Sequence, residues 1–154
     1  MSEQQNPRKT VTGGLNEIKF IVYGNPVPKG RPRVVRGHTY TPERTRSHEE
    51  KIALTYKSWY HDFMFEKGVP LRIVVDAFFK IAKSDKKSIK EDKVTGRIRP
   101  TIIPDADNIQ KAVQDAMNGI AYYDDSQIVE STIRKWYSEE PRTEIYIARV
   151  NDDK

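Results

Sequence analysis

Cysteine is absent from the 154 residues of this chain. That one absence excludes disulfides, thiolate nucleophiles and thiolate metal sites, and leaves oxygen or imidazole to hold any metal. Histidine occurs three times, scattered along the chain, which argues against a zinc site. No apolar run approaches the roughly 20 residues of a membrane span, and the mean hydropathy is -0.76. The opening segment, MSEQQNPRKTVTGG, lacks the apolar core of a signal peptide. A cytoplasmic protein with no membrane association is the expectation. No glycine-rich nucleotide loop, nucleophile elbow or internal repeat is present.

What the chain does contain is charge, unevenly placed. The net charge is +5 and the pI about 9.3. Between Pro26 and Arg46, Lys29, Arg31, Arg33, Arg36, Arg44 and Arg46 oppose Glu43 alone. Between Lys80 and Arg99, six lysines and two arginines oppose Asp85, Glu91 and Asp92. From Pro104 to Asp125 the sign reverses: Asp105, Asp107, Asp115, Asp124 and Asp125 face only Lys111. An acidic island between basic segments suits a polyanion grip around a cation-binding centre, although a solvated surface can segregate charge in the same way.

The order of elements predicts one α+β domain over 17–150, with helices on a small mixed or antiparallel sheet, preceded by a disordered tail over 1–16. Ile18–Tyr23 reads as a strand, and the Pro- and Gly-rich stretch 24–33 as a stiff basic loop. A helix starting at Pro42 or Ser47 runs to about Glu66, with Gly68 as its terminator. Leu71–Ala82 is a strand, and Ser84–Arg99, poor in apolar residues, a mobile loop. Gln127–Tyr137 and Thr143–Val150 are strands joined by a hairpin-like turn.

Ile109, Ala112, Val113, Ala116 and Met117 fall at i, i+3, i+4, i+7 and i+8, one apolar stripe on a helix over Asp107–Asn118. Asp107, Lys111 and Asp115 then lie on the opposite face, and Asp105 stands just before the helix, where free N–H groups favour a carboxylate. If the turn at Asp124-Asp125 folds back beside this end, the converging carboxylates need a divalent cation, and oxygen-only ligands select magnesium or manganese. Each residue also has a plainer use. Asp107 could cap the helix or pair with Lys111, and Asp124-Asp125-Ser126 could be only a turn. An EF-hand is excluded, because its third ligand and its glycine would fall on Ile109 and Gln110.

Asp105-Ala106-Asp107-Asn108-Ile109-Gln110-Lys111, then Asp115-Ala116-Met117-Asn118-Gly119 and Tyr123-Asp124-Asp125-Ser126-Gln127-Ile128-Val129, resembles the RusA family of Holliday-junction resolvases. Pro28 to Arg33 and Tyr40-Thr41-Pro42 are similar to its phage and prophage members. The resemblance spans residues 18–150. It implies a homodimer that binds four-way DNA junctions and makes paired symmetric nicks with magnesium or manganese. Asp105 and Asp107 match the two aspartates of its DxDNxxK pattern, Lys111 the lysine, and Asp125 the second aspartate of its DD turn, with Asp124 the weaker candidate. These imply a catalytic set of Asp105, Asp107, Lys111 and Asp125, the three aspartates holding metal, while Lys29, Arg31, Arg33 and Arg36 grip backbone phosphates. The lysine-rich stretch and the N-terminal tail extend beyond the compact family pattern. Two alternatives stay open: a metal nuclease acting on flaps or other branched DNA, and a DNA-binding module without catalysis.

Overall fold

The computed structural model describes residues 15–27, 33–40 and 43–150. The elements, in chain order, are β1 (Glu17–Tyr23), β2 (Arg33–Val35), β3 (His38–Tyr40), α1 (Glu43–Tyr60), β4 (Leu71–Lys80), α2 (Lys87–Val94), α3 (Ala106–Met117), a single 3-10 turn at Asp125–Gln127, β5 (Ile128–Ser138) and β6 (Arg142–Arg149). The α+β expectation is borne out. Among the described residues, no helix is long and apolar enough to cross a membrane.

Alternation in β1, β4 and most of β6 buries Ile18, Phe20 and Val22, then Ile73, Val75 and Ala77, then Ile145 and Ile147, all on one face of a four-stranded sheet. On that face sit α1, through Ile52 and Tyr56, and α3, through the predicted stripe of Ile109, Ala112, Val113, Ala116 and Met117. The sheet order is β1-β6-β4-β5, antiparallel except for the β4–β5 pair. A parallel neighbour needs a crossover connection, and α2 and α3 supply it.

Three expectations are corrected. The strands β5 and β6 do not form a hairpin with each other. Instead β4 lies between them, and the turn at 139–141 steps across its end, where Ile81 N donates to Ser138 O (3.2 Å). Directly after the expected basic loop, residues 33–35 pair with 38–40 as a hairpin turned at Arg36-Gly37, both at positive φ (51° and 80°). The helix α1 stops at Tyr60 rather than Glu66, because His61 takes the left-handed conformation (φ 58°) that ends a helix. Phe65 then turns into the core, fully buried, with its N–H on Ala121 O (2.8 Å). Lastly, the lysine-rich stretch contains α2 and is not simply a loop. Of the expected tail, only Leu15 and Asn16 are described: Leu15 packs on the core, and Asn16 O accepts from Arg149 N (2.9 Å).

The opposite sheet face is polar and tied across strands. Arg134 donates two hydrogen bonds to the Asp76 carboxylate (2.6 and 2.9 Å), and Trp136 Nε1 donates a third (2.8 Å). Burial alone would raise the Asp76 carboxyl, but these bonds and the Arg134 charge outweigh it and hold it below its ordinary value of 3.8. A depressed acid stabilises the fold at pH above 3.8 and loses that contribution as pH falls through its folded-state value. Asp76→Asn should therefore cost about 1 kcal/mol near neutrality, Arg134 being half-exposed. Denaturant melts at pH 7 and pH 3 check the sign: the gap between variant and wild type should narrow at the lower pH, and a gap of constant size contradicts the assignment.

Candidate active site

The turn before α3 runs through Pro104 into Asp105, which occupies the N-cap position with extended backbone (φ -65°, ψ 152°). Its carbonyl accepts from Ile109 N (3.1 Å), which starts the helix, but its carboxylate makes no capping bond. Asp107, in the first turn, makes no ion pair with Lys111 among the described residues. The plain uses open to these aspartates, a cap and an i,i+4 salt bridge, are therefore not taken up. Both side chains are exposed, as is Lys111.

The other arm of the site comes from the turn after α3. Here the adjacent aspartates divide. Asp124 does structural work: its carboxylate accepts from Ser126 N (3.0 Å), and Gln127 Oε1 accepts from Asp124 N (3.2 Å), a reciprocal capping box. The Ser126 hydrogen bonds hold its carboxyl below the ordinary value. Gln127, buried, also accepts from Tyr123 N and donates to Glu66 O (2.9 Å) and Val69 O (3.1 Å), so the turn is bolted to the loop after α1. Asp125 is left to point into the cleft.

An open cleft of about 420 Å³ is lined by Asp107, Gln110, Lys111, Gln114, Asp125, Ile128 and Ser131. Three of the four residues expected to be catalytic thus share one wall-to-wall space between α3 and β5. Asp105 is not among the lining residues; it stands at the helix end, two positions before Asp107. Among the described residues, no group of three or more His, Asp or Glu side chains is arranged around one point. The expected convergence of three carboxylates is thus seen for Asp107 and Asp125 only.

The floor of the cleft is ordered by residues that the sequence did not single out. Gln110 and Gln114 both donate to the Ser131 hydroxyl, the latter at 3.1 Å, pinning α3 to β5. Tyr122, fully buried, places its hydroxyl 2.8 Å from Gln114 O and 2.8 Å from Asp125 Oδ1. Burial, reinforced by Asp125, keeps this phenol protonated, far above its ordinary 10.0. Burial likewise pushes the Asp125 carboxyl up; the Tyr122 hydrogen bond pulls it down, the Asp115 and Asp124 charges push it up again, and the Lys111 ammonium opposes them. A carboxylate held in a site of excess negative charge is poised for a cation.

The basic loop is only partly in view. Lys29 and Arg31 lie outside the described residues, and Arg33 is described by its backbone alone, within β2. Arg36 sits at the tip of the β2–β3 hairpin, exposed to solvent.

With that geometry in place, comparison with known proteins is decisive. The model of the family described as "Endodeoxyribonuclease RusA" matches residues 23–148. The chain belongs to the RusA family. Among its relatives, it is 38% identical over 138 residues, covering 87% of this chain and 97% of the other, to "Uncharacterized protein YqaN" of Bacillus subtilis (strain 168). It is also 40% identical over 87 residues, 56% of this chain and 60% of the other, to "Crossover junction endodeoxyribonuclease rusA" of Lactococcus phage r1t. The cleft between α3 and β5 is accordingly the candidate centre of a RusA-family endodeoxyribonuclease.

Proposed function

We propose that this protein is a divalent-metal-dependent endonuclease that resolves four-way DNA junctions by paired, symmetric nicks, acting as a homodimer. The observation that supports it most is the division of labour in the site. Asp107, Lys111 and Asp125 line one cleft, and none of the three carries a cap or an ion pair among the described residues, whereas Asp124 is occupied in holding the turn. The name of the phage relative adds the crossover junction as the substrate.

The donors fit magnesium or manganese. They are oxygens only, and magnesium is commonly held by one or two carboxylates, with water and substrate phosphate completing its shell. Two carboxylates in an open cleft meet that requirement without a closed protein cage. Asp107 and Asp125 would hold the ion, and Asp105, at the same helix end, would join them once substrate is seated. When bound, the metal supplies Lewis-acid polarisation of the phosphodiester and eases ionisation of the attacking water.

The remaining work falls to the chain. The Lys111 ammonium, one turn after Asp107, stands where negative charge grows on the transferring phosphate. The glutamines fix the spacing between α3 and β5, and so the distance between the two carboxylates. Water attacks phosphorus in line with the P–O3′ bond, the 3′-oxygen leaves and takes up a proton, and the nick carries a 5′-phosphate and a 3′-hydroxyl. Lys29, Arg31, Arg33 and Arg36 add sequence-independent phosphate contacts.

The test compares four-way, flap and linear duplex substrates with and without magnesium. Paired nicks on the four-way junction only, and only with metal, are expected. Preferential cutting of flaps would favour the second nuclease reading, and cutting in the presence of a chelator would remove the metal.

A further inference from the structure

The lysine-rich segment after β4 is folded, and burial does not explain why. Its helix α2 has no buried residue, no acidic residue in the first turn and no side-chain cap. Lys86 and Lys87 instead stand at the positive end of the helix, an unfavourable place for them. What holds the segment is a clasp around β5, a strand at the sheet edge. Trp136 and Tyr137 are successive in that strand and point to opposite faces. On one face Lys93 lies over the Tyr137 ring (4.4 Å) and pairs with Asp85 (2.5 Å). On the other, Gly96 abuts Trp136, where Arg99 stacks 3.5 Å from the ring centroid and donates to Lys135 O (2.6 Å). Arg97 pairs with Asp92 (3.4 Å).

These internal contacts account for Lys93, Arg97 and Arg99. Lys83, Lys86, Lys87 and Lys90 have no side-chain hydrogen bond or ion pair among the described residues, and the first three are exposed. The clasp therefore carries four lysines without ion pairs among the described residues against the one carboxylate of Glu91, a local excess of positive charge. It also sits at a fixed distance from the cleft. Ser131 lines the cleft and Tyr137 meets the clasp, six residues along one strand, a span of about 20 Å at the usual rise. That is roughly six base pairs of duplex at about 3.4 Å each.

We propose that Lys83, Lys86, Lys87 and Lys90 form a second DNA contact, gripping the backbone of a duplex arm about six base pairs from the scissile phosphate. The inference rests on the endonuclease reading of the cleft. Two features select duplex DNA over an acidic protein: continuity with the cleft along β5, and a segment clasped to that strand at a set distance from the cleft. The contact reads no sequence. It orients the arm so that the branch point, not the duplex, reaches Asp107 and Asp125.

The test replaces all four lysines by alanine in the Asp107→Asn background, which is expected to bind without cutting. Junction affinity is measured across salt concentrations, and backbone protection is mapped by hydroxyl-radical footprinting. The slope of log affinity against log salt should fall by about 0.9 for each phosphate no longer gripped, so by roughly 2–4 in all. Protection near the sixth base pair should disappear while protection at the branch persists. The corresponding four-arginine variant should restore both. Because α2 buries nothing, the alanine variant should keep the wild-type circular dichroism spectrum, and the arginine variant decides the matter if it does not. An unchanged slope and footprint overturn the proposal, as does an arginine variant that folds and fails to protect the arm. Wild type that neither binds nor cuts branched DNA would instead sink the endonuclease reading itself.

Discussion

Asp107→Asn and Asp125→Asn should each lower nicking of four-way junctions by at least about 10²-fold, the scale of losing one group that stabilises transition-state charge, while junction binding survives. Asparagine keeps the shape and one oxygen of the side chain but removes the negative charge that would hold a cation. Neither carboxylate caps a helix or forms an ion pair among the described residues, and the Tyr122 hydroxyl that donates to Asp125 can still donate to the asparagine oxygen. Asp125 goes further. Burial and its acidic neighbours raise its carboxyl above the unfolded value of 3.8. A raised acid destabilises the fold once the pH is high enough to ionise it, so Asp125→Asn should melt at the same temperature as wild type or higher at neutral pH. Activity down with stability level or up is the signature of a group kept for function. Asp124→Asn is the control, since that side chain serves the capping box and nicking should largely persist. Gel-based cleavage and binding assays, beside thermal melts, separate these outcomes. Full nicking by Asp107→Asn would leave the chain with the binding-only reading.

The parts of this molecule that were legible in its sequence are those set by local periodicity. The α3 stripe repeats every 3.6 residues, and its polar face brought Asp107 and Lys111 together correctly. The alternating strands β1 and β4 were legible for the same reason, since each pattern is written within a few consecutive residues. The departures arise where distant residues decide. Three residues separate β5 from β6, and nothing in that spacing reveals that β4 will sit between them. The helix α2 has no apolar period because it is held by Trp136 and Tyr137, far along the chain. The β2–β3 turn places Arg36 where asparagine, aspartate or glycine is usual, and His61 ends α1 where glycine was expected. In the site, Asp124 and Asp125 are chemically identical; the family pattern ranked the second above the first, and the Ser126 and Gln127 hydrogen bonds supply the physical reason. Tyr122 carries no signal of its own in the sequence, and its ring is core. Its hydroxyl is the exception, and only the folded turn shows it.

Removing that hydroxyl gives the second large effect. Tyr122→Phe should cost about 1 kcal/mol of stability, the worth of an ordinary hydrogen bond, because the ring stays packed and Gln114 O still accepts from Asn118 N (3.0 Å). The consequence for catalysis should be larger, about 10–100-fold in activity or metal affinity, as is usual when a group orienting a metal ligand is removed. The phenol spans from the backbone of α3 to Asp125 Oδ1, and so fixes the carboxylate against the helix that carries Asp107. Without it, Asp125 keeps its charge but loses its direction. The metal concentration for half-maximal nicking should rise, and saturating metal should recover much of the rate. The pH profile supplies a sign that mere loss of packing would not. The Tyr122 hydrogen bond lowers the Asp125 carboxyl, so its removal lets that carboxyl climb, and the acid limb of the activity profile should move to higher pH. A variant that melts earlier yet shows the wild-type metal requirement and acid limb would reduce Tyr122 to a core residue. A shift of both would make the phenol the link through which the α3 backbone sets the geometry of the cleft.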